Sequence, residues 1–202
     1  GHTMTTQSDL IVLAYTAIDR ENADDPKTID VDGVARPAAL VYGERMTAML
    51  ASFKPDASDA LKIACRAQHL RRFDLPRDSY PMDKPGYFAW RNAQKAAHAE
   101  KAAAILVSLG AEQALIDRVG SLIRKERLKR DPEAQALEDV ASLVFLAFEF
   151  EAFARSHDDQ KLVDIVAKTW PKMSADGHAR ALEMAPNLAP RLRSIVSQAL
   201  AG

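Results

Sequence analysis

The sequence predicts an all-α domain, and three observations carry that expectation. Alanine and leucine are abundant while β-branched residues rarely alternate, and only 8 glycines punctuate 202 residues. Apolar residues recur at the three-to-four spacing of a helix face almost throughout. Nothing alternates strands with helices as a nucleotide-binding sheet would. The 27 Lys+Arg against 28 Asp+Glu and the 48% hydrophobic content describe a globular chain, long enough to bury a core without disulfides or metal. Balanced charge speaks against general duplex DNA as a partner, because that binding draws on an excess of cations. No run approaches the roughly 20 apolar residues of a membrane span, so no membrane partner is expected. One cysteine, Cys65, allows no intrachain disulfide and suits the cytoplasm. Residues 4–202 read as a single all-helical domain, with Gly1-His2-Thr3 ahead of Met4 as a cloning remnant.

The elements follow in order. Ser8 caps a first helix to about Asp19, with Ile11, Leu13, Ala14, Ala17 and Ile18 on its buried side. Arg20 to Pro37 reads as a long irregular connection. Pro37 opens a helix to about Phe53, broken by Lys54-Pro55-Asp56. Ser58 or Asp59 starts the next, which sets Leu61, Cys65 and His69 one turn apart on one face and stops before Pro76. From Phe73 to Tyr87, prolines, aromatics and charges make a loop too long to be a mere connection. Arg91 to Leu109 is an Ala-rich helix stopped by Gly110, and Glu112 to about Arg130 follows. Glu133 to about Ser156 is the longest and is apolar nearly all round, so it is the central buried helix. Three shorter helices, 158–170, 175–184 and 189–200, meet at Pro171, Pro186 and Pro190.

A few polar residues stand on otherwise apolar faces. Asp139 shares a stripe with Leu143, Leu146 and Phe150, which aims its carboxylate inward. An unpaired buried carboxylate costs several kcal/mol, roughly, so it needs cationic, hydrogen-bonding or metal partners, or serves its own helix start. His69 shares a stripe with Cys65, and His98 with Ala102, Ile105 and Leu109, so both imidazoles point inward. His69, His98 and Asp139 are thus the catalytic candidates, the raw material of an acid/base or metal site. Glu100 is a further candidate metal ligand, although positions i and i+2 diverge on a helix. Arg72, Arg77 and Arg91, with Lys125 in the basic run Arg124–Arg130, are the substrate-binding candidates, since such groups match phosphate or carboxylate oxygens. Cys65 reads as packing.

The stretches Ala64-Cys-Arg-Ala-Gln-His-Leu-Arg-Arg-Phe73, Pro76-Arg-Asp-Ser-Tyr-Pro-Met-Asp-Lys-Pro-Gly-Tyr-Phe-Ala-Trp-Arg91, Arg124-Lys-Glu-Arg-Leu-Lys129 and Leu137-Glu-Asp-Val-Ala-Ser-Leu-Val-Phe-Leu146 resemble an uncharacterised family, domain of unknown function 4202. The resemblance runs from Ile18 to about Ser174. More distantly, the order of polar residues is similar to the HD superfamily of metal-dependent phosphohydrolases, which is all-helical and sets a His, a His-Asp pair and a later Asp around a metal. On that likeness His69 matches the His of the pair and Asp139 the late Asp. His98 or Glu100 would complete the ligands of a divalent Mn, Mg, Zn or Fe ion. Leu70 stands where the pair has Asp, and the preceding helix offers Glu44 and Arg45 but no histidine. Two function classes stay open: a metal-dependent hydrolase acting on a small phosphorylated or acidic metabolite, and a metal-free binding or regulatory module for an acidic small molecule.

Overall fold

The structure, a computed structural model, describes residues 7–201; Gly1-His2-Thr3 and the side chain of Ser8, the expected first cap, lie outside the described residues. The chain is all-α as predicted, apart from one hairpin. In order come α1 (Gln7–Asn22), β1 (Thr28–Val31), β2 (Val34–Pro37), α2 (Ala38–Phe53), α3 (Asp59–Arg66), α4 (Lys84–Ser108), α5 (Gln113–Ile123), α6 (Pro132–Val144), α7 (Phe150–Ala154), α8 (Asp159–Thr169), α9 (Ala175–Met184) and α10 (Pro190–Ala201). They gather into two compact units. The first comprises the chain up to Leu50 together with Asp56–Glu126; the second comprises Ala51–Pro55 together with the chain from Arg127 on.

In the first unit, Leu10, Ala14 and Ile18 form the buried stripe of α1, while Leu13, expected inside, is 43% exposed. The connection read as irregular contains the antiparallel hairpin, with Val31 opposite Val34 and Ile29 opposite Arg36. Asp32 and Gly33 both take positive φ, 54° and 84°, as a tight two-residue hairpin turn with the strands' own twist requires. Asp25 ties the hairpin to α2: its buried carboxylate accepts the amides of Lys27 and Ala39, both at 2.9 Å. Ser58 does cap α3, accepting from the Leu61 amide at 3.2 Å. The helix ends at Arg66, however, so Leu61 and Cys65 lie on its buried face and His69 follows in the turn beyond it.

Helix α4 is the longest, at 25 residues, and starts seven positions earlier than the alanine-rich pattern suggested. Asp83 caps it, accepting from the Gly86 amide at 2.7 Å, and a proline sits in its first turn. Proline there loses only an amide that the helix would leave unpaired anyway, so Asp-Lys-Pro-Gly is a start signal and not a loop. Gly86 is required at that start, because a Cβ would lie 2.0 Å from the Pro81 carbonyl oxygen. Helix α5 packs on α3 and α4 and stops at Ile123; the basic run after it is turn, with Lys125 at φ 58° and Arg127 at φ 55°.

In the second unit the helix expected over 133–156 is α6 and α7 joined by a π-helical turn, Phe145–Glu149. Helix α6 is the buried element, with Leu137, Val140, Leu143 and Val144 fully inside. The π-turn inserts an extra residue into the helical repeat, so the apolar run does not stay inside: Phe150 is fully buried and Phe148 is 47% exposed. Phe150 belongs to a core with Leu162, Val166, Leu192 and Ile195, contributed by α7, α8 and α10. Truncating Phe150 to Ala should cost about 3–5 kcal/mol, whereas Phe148→Ala should cost under about 1 kcal/mol; urea unfolding of the two variants measures the difference.

Candidate functional site

The site grows from one face of α4. Tyr87, Trp90, Arg91, Gln94, Lys95 and His98 recur at the helical repeat on that face, and three of them hold the turn that follows α3. The Trp90 indole donates to the Leu75 carbonyl at 2.8 Å, the Gln94 amide to Arg72 and Leu75 carbonyls at 3.0 and 2.9 Å, and His98 Nδ1 to the Leu70 carbonyl at 2.7 Å. A segment without a regular ladder has carbonyls to satisfy, and α4 supplies the donors. From the other side, Asn22 accepts the Arg71 amide at 3.0 Å. Arg71, left-handed at φ 52°, sends its guanidinium to Asp74, Asp24 and Glu21 at 2.7–3.1 Å. Its neighbour Arg72 faces the opposite way.

Between this turn and α4 lies a cavity of about 280 Å³, lined by Gln68, His69, Arg72, Tyr87, Trp90, Arg91, Gln94, Lys95, His98 and Lys125. Four of the lining residues are cationic, and among the described residues no carboxylate joins them. Arg72 lies over the Trp90 ring at 5.1 Å and Arg91 over Tyr87 at 5.7 Å, a stacking that keeps guanidinium N–H edges turned away from the ring faces. The left-handed backbone at Lys125 places this lysine at the cavity, and a non-glycine residue held there is strained.

Two imidazoles stand among the cations. His69 stacks on Tyr42, ring centroids 3.9 Å apart, and lies 6.3 Å from His98. Burial holds His69 well below the usual histidine range, and Arg72, His98 and Lys125 push the same way. His98 is 4% exposed; burial lowers it to about 4, against the hydrogen bond to Leu70, and Arg72 adds to the lowering. Both rings are neutral at pH 7. A carbonyl only accepts, so the His98 hydrogen is on Nδ1 and Nε2 is left as an acceptor. The His69 Nε2 in turn lies 3.4 Å from Arg72 Nη1 and accepts from it.

The structure therefore brings together His69, His98, Arg72, Arg91 and Lys125 of the residues singled out in the sequence. Arg77 is used differently: it donates to the carbonyls of Pro81 and Asp83 at 2.9 and 3.3 Å, fastening the loop ahead of α4. Glu100 is exposed on α4, off the face of His98. Asp139 belongs to the second unit, is 1% exposed, and has its own donors there. The Ser174 amide reaches it at 2.9 Å, the Ser174 hydroxyl at 2.5 Å and the Gln135 amide at 3.0 Å. Gly177 permits this packing, since a Cβ would meet the carboxylate at 2.8 Å. Among the described residues no three of His, Cys, Asp and Glu stand close enough to hold a metal ion. The donor set does not fit one either: the imidazoles are surrounded by cations, and Leu70, next to His69, is a fully buried apolar side chain. Cys65 is packing, and burial pushes its thiol up, away from the reactive thiolate.

Sequence reasoning missed Gln68, Tyr87, Trp90, Gln94 and Lys95. The signal was available once α4 is begun at Asp83, because the repeat 87, 90/91, 94/95, 98 then traces one face.

An all-helical chain with a cation-lined cavity defines the class. The chain belongs to the family described as Domain of unknown function (DUF4202), which it matches over residues 13–196. No curated protein and no solved structure matches the chain. No helix among the described residues is long and apolar enough to cross a membrane.

Two outcomes follow from the buried polar groups. The native His98 ring refuses a proton that the unfolded chain accepts near pH 6.5. Its contribution is therefore complete above that pH and is lost as pH falls toward 4, amounting to roughly 3 kcal/mol over the window. The melting temperature should drop between pH 7 and 4.5, and the drop should be shallower in His98→Gln, whose amide still donates to Leu70. Asp139→Asn should cost about 1–3 kcal/mol, because a neutral amide replaces the carboxylate that accepts from three donors; Gly177→Ala should destabilise too, by displacing Asp139. Thermal unfolding of each variant reads both effects.

Proposed function

We propose that the cavity of the first unit binds a small phosphorylated or carboxylated molecule, and does so without a metal. The observation that supports this is the charge of its wall: Arg72, Arg91, Lys95 and Lys125 surround two neutral imidazoles with no carboxylate among the described lining residues. An anion entering there meets the Arg72 and Arg91 guanidinium groups, whereas a divalent cation would be repelled by them. Guanidinium groups seated on aromatic rings are well placed for bidentate contact with phosphate or carboxylate oxygens.

The metal-dependent hydrolase is the other class that the likeness to the HD superfamily suggests. It would need an Asp beside His69 and the Asp139 carboxylate as a ligand; Leu70 occupies the first position and Ser174 and Gln135 engage the second. We read the likeness as a scaffold that kept a pocket without its metal, which makes the protein a binding or regulatory module. We place that activity in the cytoplasm, the compartment its single buried thiol suits.

Inorganic phosphate is the simplest probe. It should raise the melting temperature of the full chain by mass action, and Arg72→Gln should weaken its binding about tenfold to a hundredfold in calorimetry. No phosphate binding in the wild type would sink the proposal. Stabilisation by Mn²⁺ together with turnover of a phosphate monoester would favour the hydrolase instead.

A further inference from the structure

The cavity holds acceptors as well as cations. Gln68 is 8% exposed and lines the cavity, yet its Oε1 is buried with no hydrogen-bond partner among the described residues. A buried amide oxygen left unpaired is costly and calls for an explanation. His98 Nε2 is a second acceptor, because Nδ1–H is committed to Leu70. The ring's neutrality keeps that lone pair available. A carboxylate brings no donor to such atoms and the phosphate of a monoester at most one, so the anionic group alone cannot serve both.

We propose that the ligand is a hydroxyl-bearing phosphate monoester of the sugar- or polyol-phosphate kind, a reading that rests on the cavity being an anion site as proposed above. The phosphate takes the cations. A monoester carries a charge of about −1.5 to −2 at neutral pH, which matches the Arg72 and Arg91 pair better than a single carboxylate does. The hydroxyls donate to His98 Nε2 and, once its amide turns into the cavity, to Gln68 Oε1. Tyr87 and Trp90 give the carbon skeleton an aromatic wall to lie on. The volume, about 280 Å³, falls just below the range of about 300–1,000 Å³ common for drug-sized molecules, and suits a compact ligand.

The test compares affinities in calorimetry on the full chain. The probes are inorganic phosphate, propyl phosphate, glycerol 3-phosphate, ribose 5-phosphate and uridine 5′-monophosphate. Glycerol 3-phosphate should bind about tenfold more tightly than propyl phosphate, the gain of one hydrogen bond to a buried acceptor. Ribose 5-phosphate exceeding the uridine nucleotide identifies a free sugar phosphate as the source; the reverse identifies a nucleotide and overturns the sugar assignment. In Gln68→Leu the ratio of glycerol 3-phosphate to propyl phosphate affinity should fall toward one. Gln68→Met is made beside it, since an unbranched side chain fits where Leu does not. Equal affinities in the wild type, or a ratio that survives in both variants, would overturn the inference while leaving phosphate binding intact. Failure of inorganic phosphate to bind removes the anion site and the inference with it.

Discussion

The first unit depends on the donation of three α4 side chains, Trp90, Gln94 and His98, to the carbonyls of Leu70, Arg72 and Leu75. These residues stand one helical turn apart, so one rigid face spaces their donors along the turn. The turn's own amides satisfy the Ala67, His69 and Arg71 carbonyls, and the α4 donors reach Leu70, Arg72 and Leu75. Everything chemical in the cavity follows from the turn's course. It decides that Arg71 points to Asp74, Asp24 and Glu21 while Arg72, one residue on, points to Trp90. It also seats His69 against Tyr42.

The same bonds set the electrostatics. Committing His98 Nδ1 to a carbonyl fixes the tautomer, and burying the ring keeps it neutral among cations. Left-handed backbone at Arg71 and Lys125 and an amide oxygen at Gln68 without a partner among the described residues work against stability. Such features persist where surrounding structure over-determines them, and they concentrate where a ligand is met. The rest of the first unit is ordinary packing, with Ile63, Cys65, Leu106 and Leu122 fully inside.

Asp139 meets the same cost of burial in another way. Two donors from Ser174 and one from Gln135 satisfy its carboxylate within the second unit, and Ser174 also caps α9 through the Gly177 amide at 3.1 Å. A buried charge with a complete set of donors is structural glue. At Gln68 the buried acceptor has no partner among the described residues. The difference lies in the partners and not in the residue type.

The sequence by itself determined the helical class, the breaks at proline and glycine, the cap at Ser58 and the inward direction of His98 and Asp139, because these depend on residues three or four positions away. It also held the Asp32-Gly33 turn and the start of α4 at Asp83, both obscured by the acidic and proline-rich residues around them. Tertiary structure alone decided the rest. Whether an inward carboxylate is a ligand or an anchor depends on Ser174, 35 positions on. Whether an arginine faces a cavity or an acid depends on a left-handed residue at 71, held by Asn22 from another helix. Helix α3 ends at Arg66, which takes His69 off its predicted stripe. Helical periodicity records only which way a side chain leaves its own helix, and these residues take their roles from what a distant part of the chain brings to meet them.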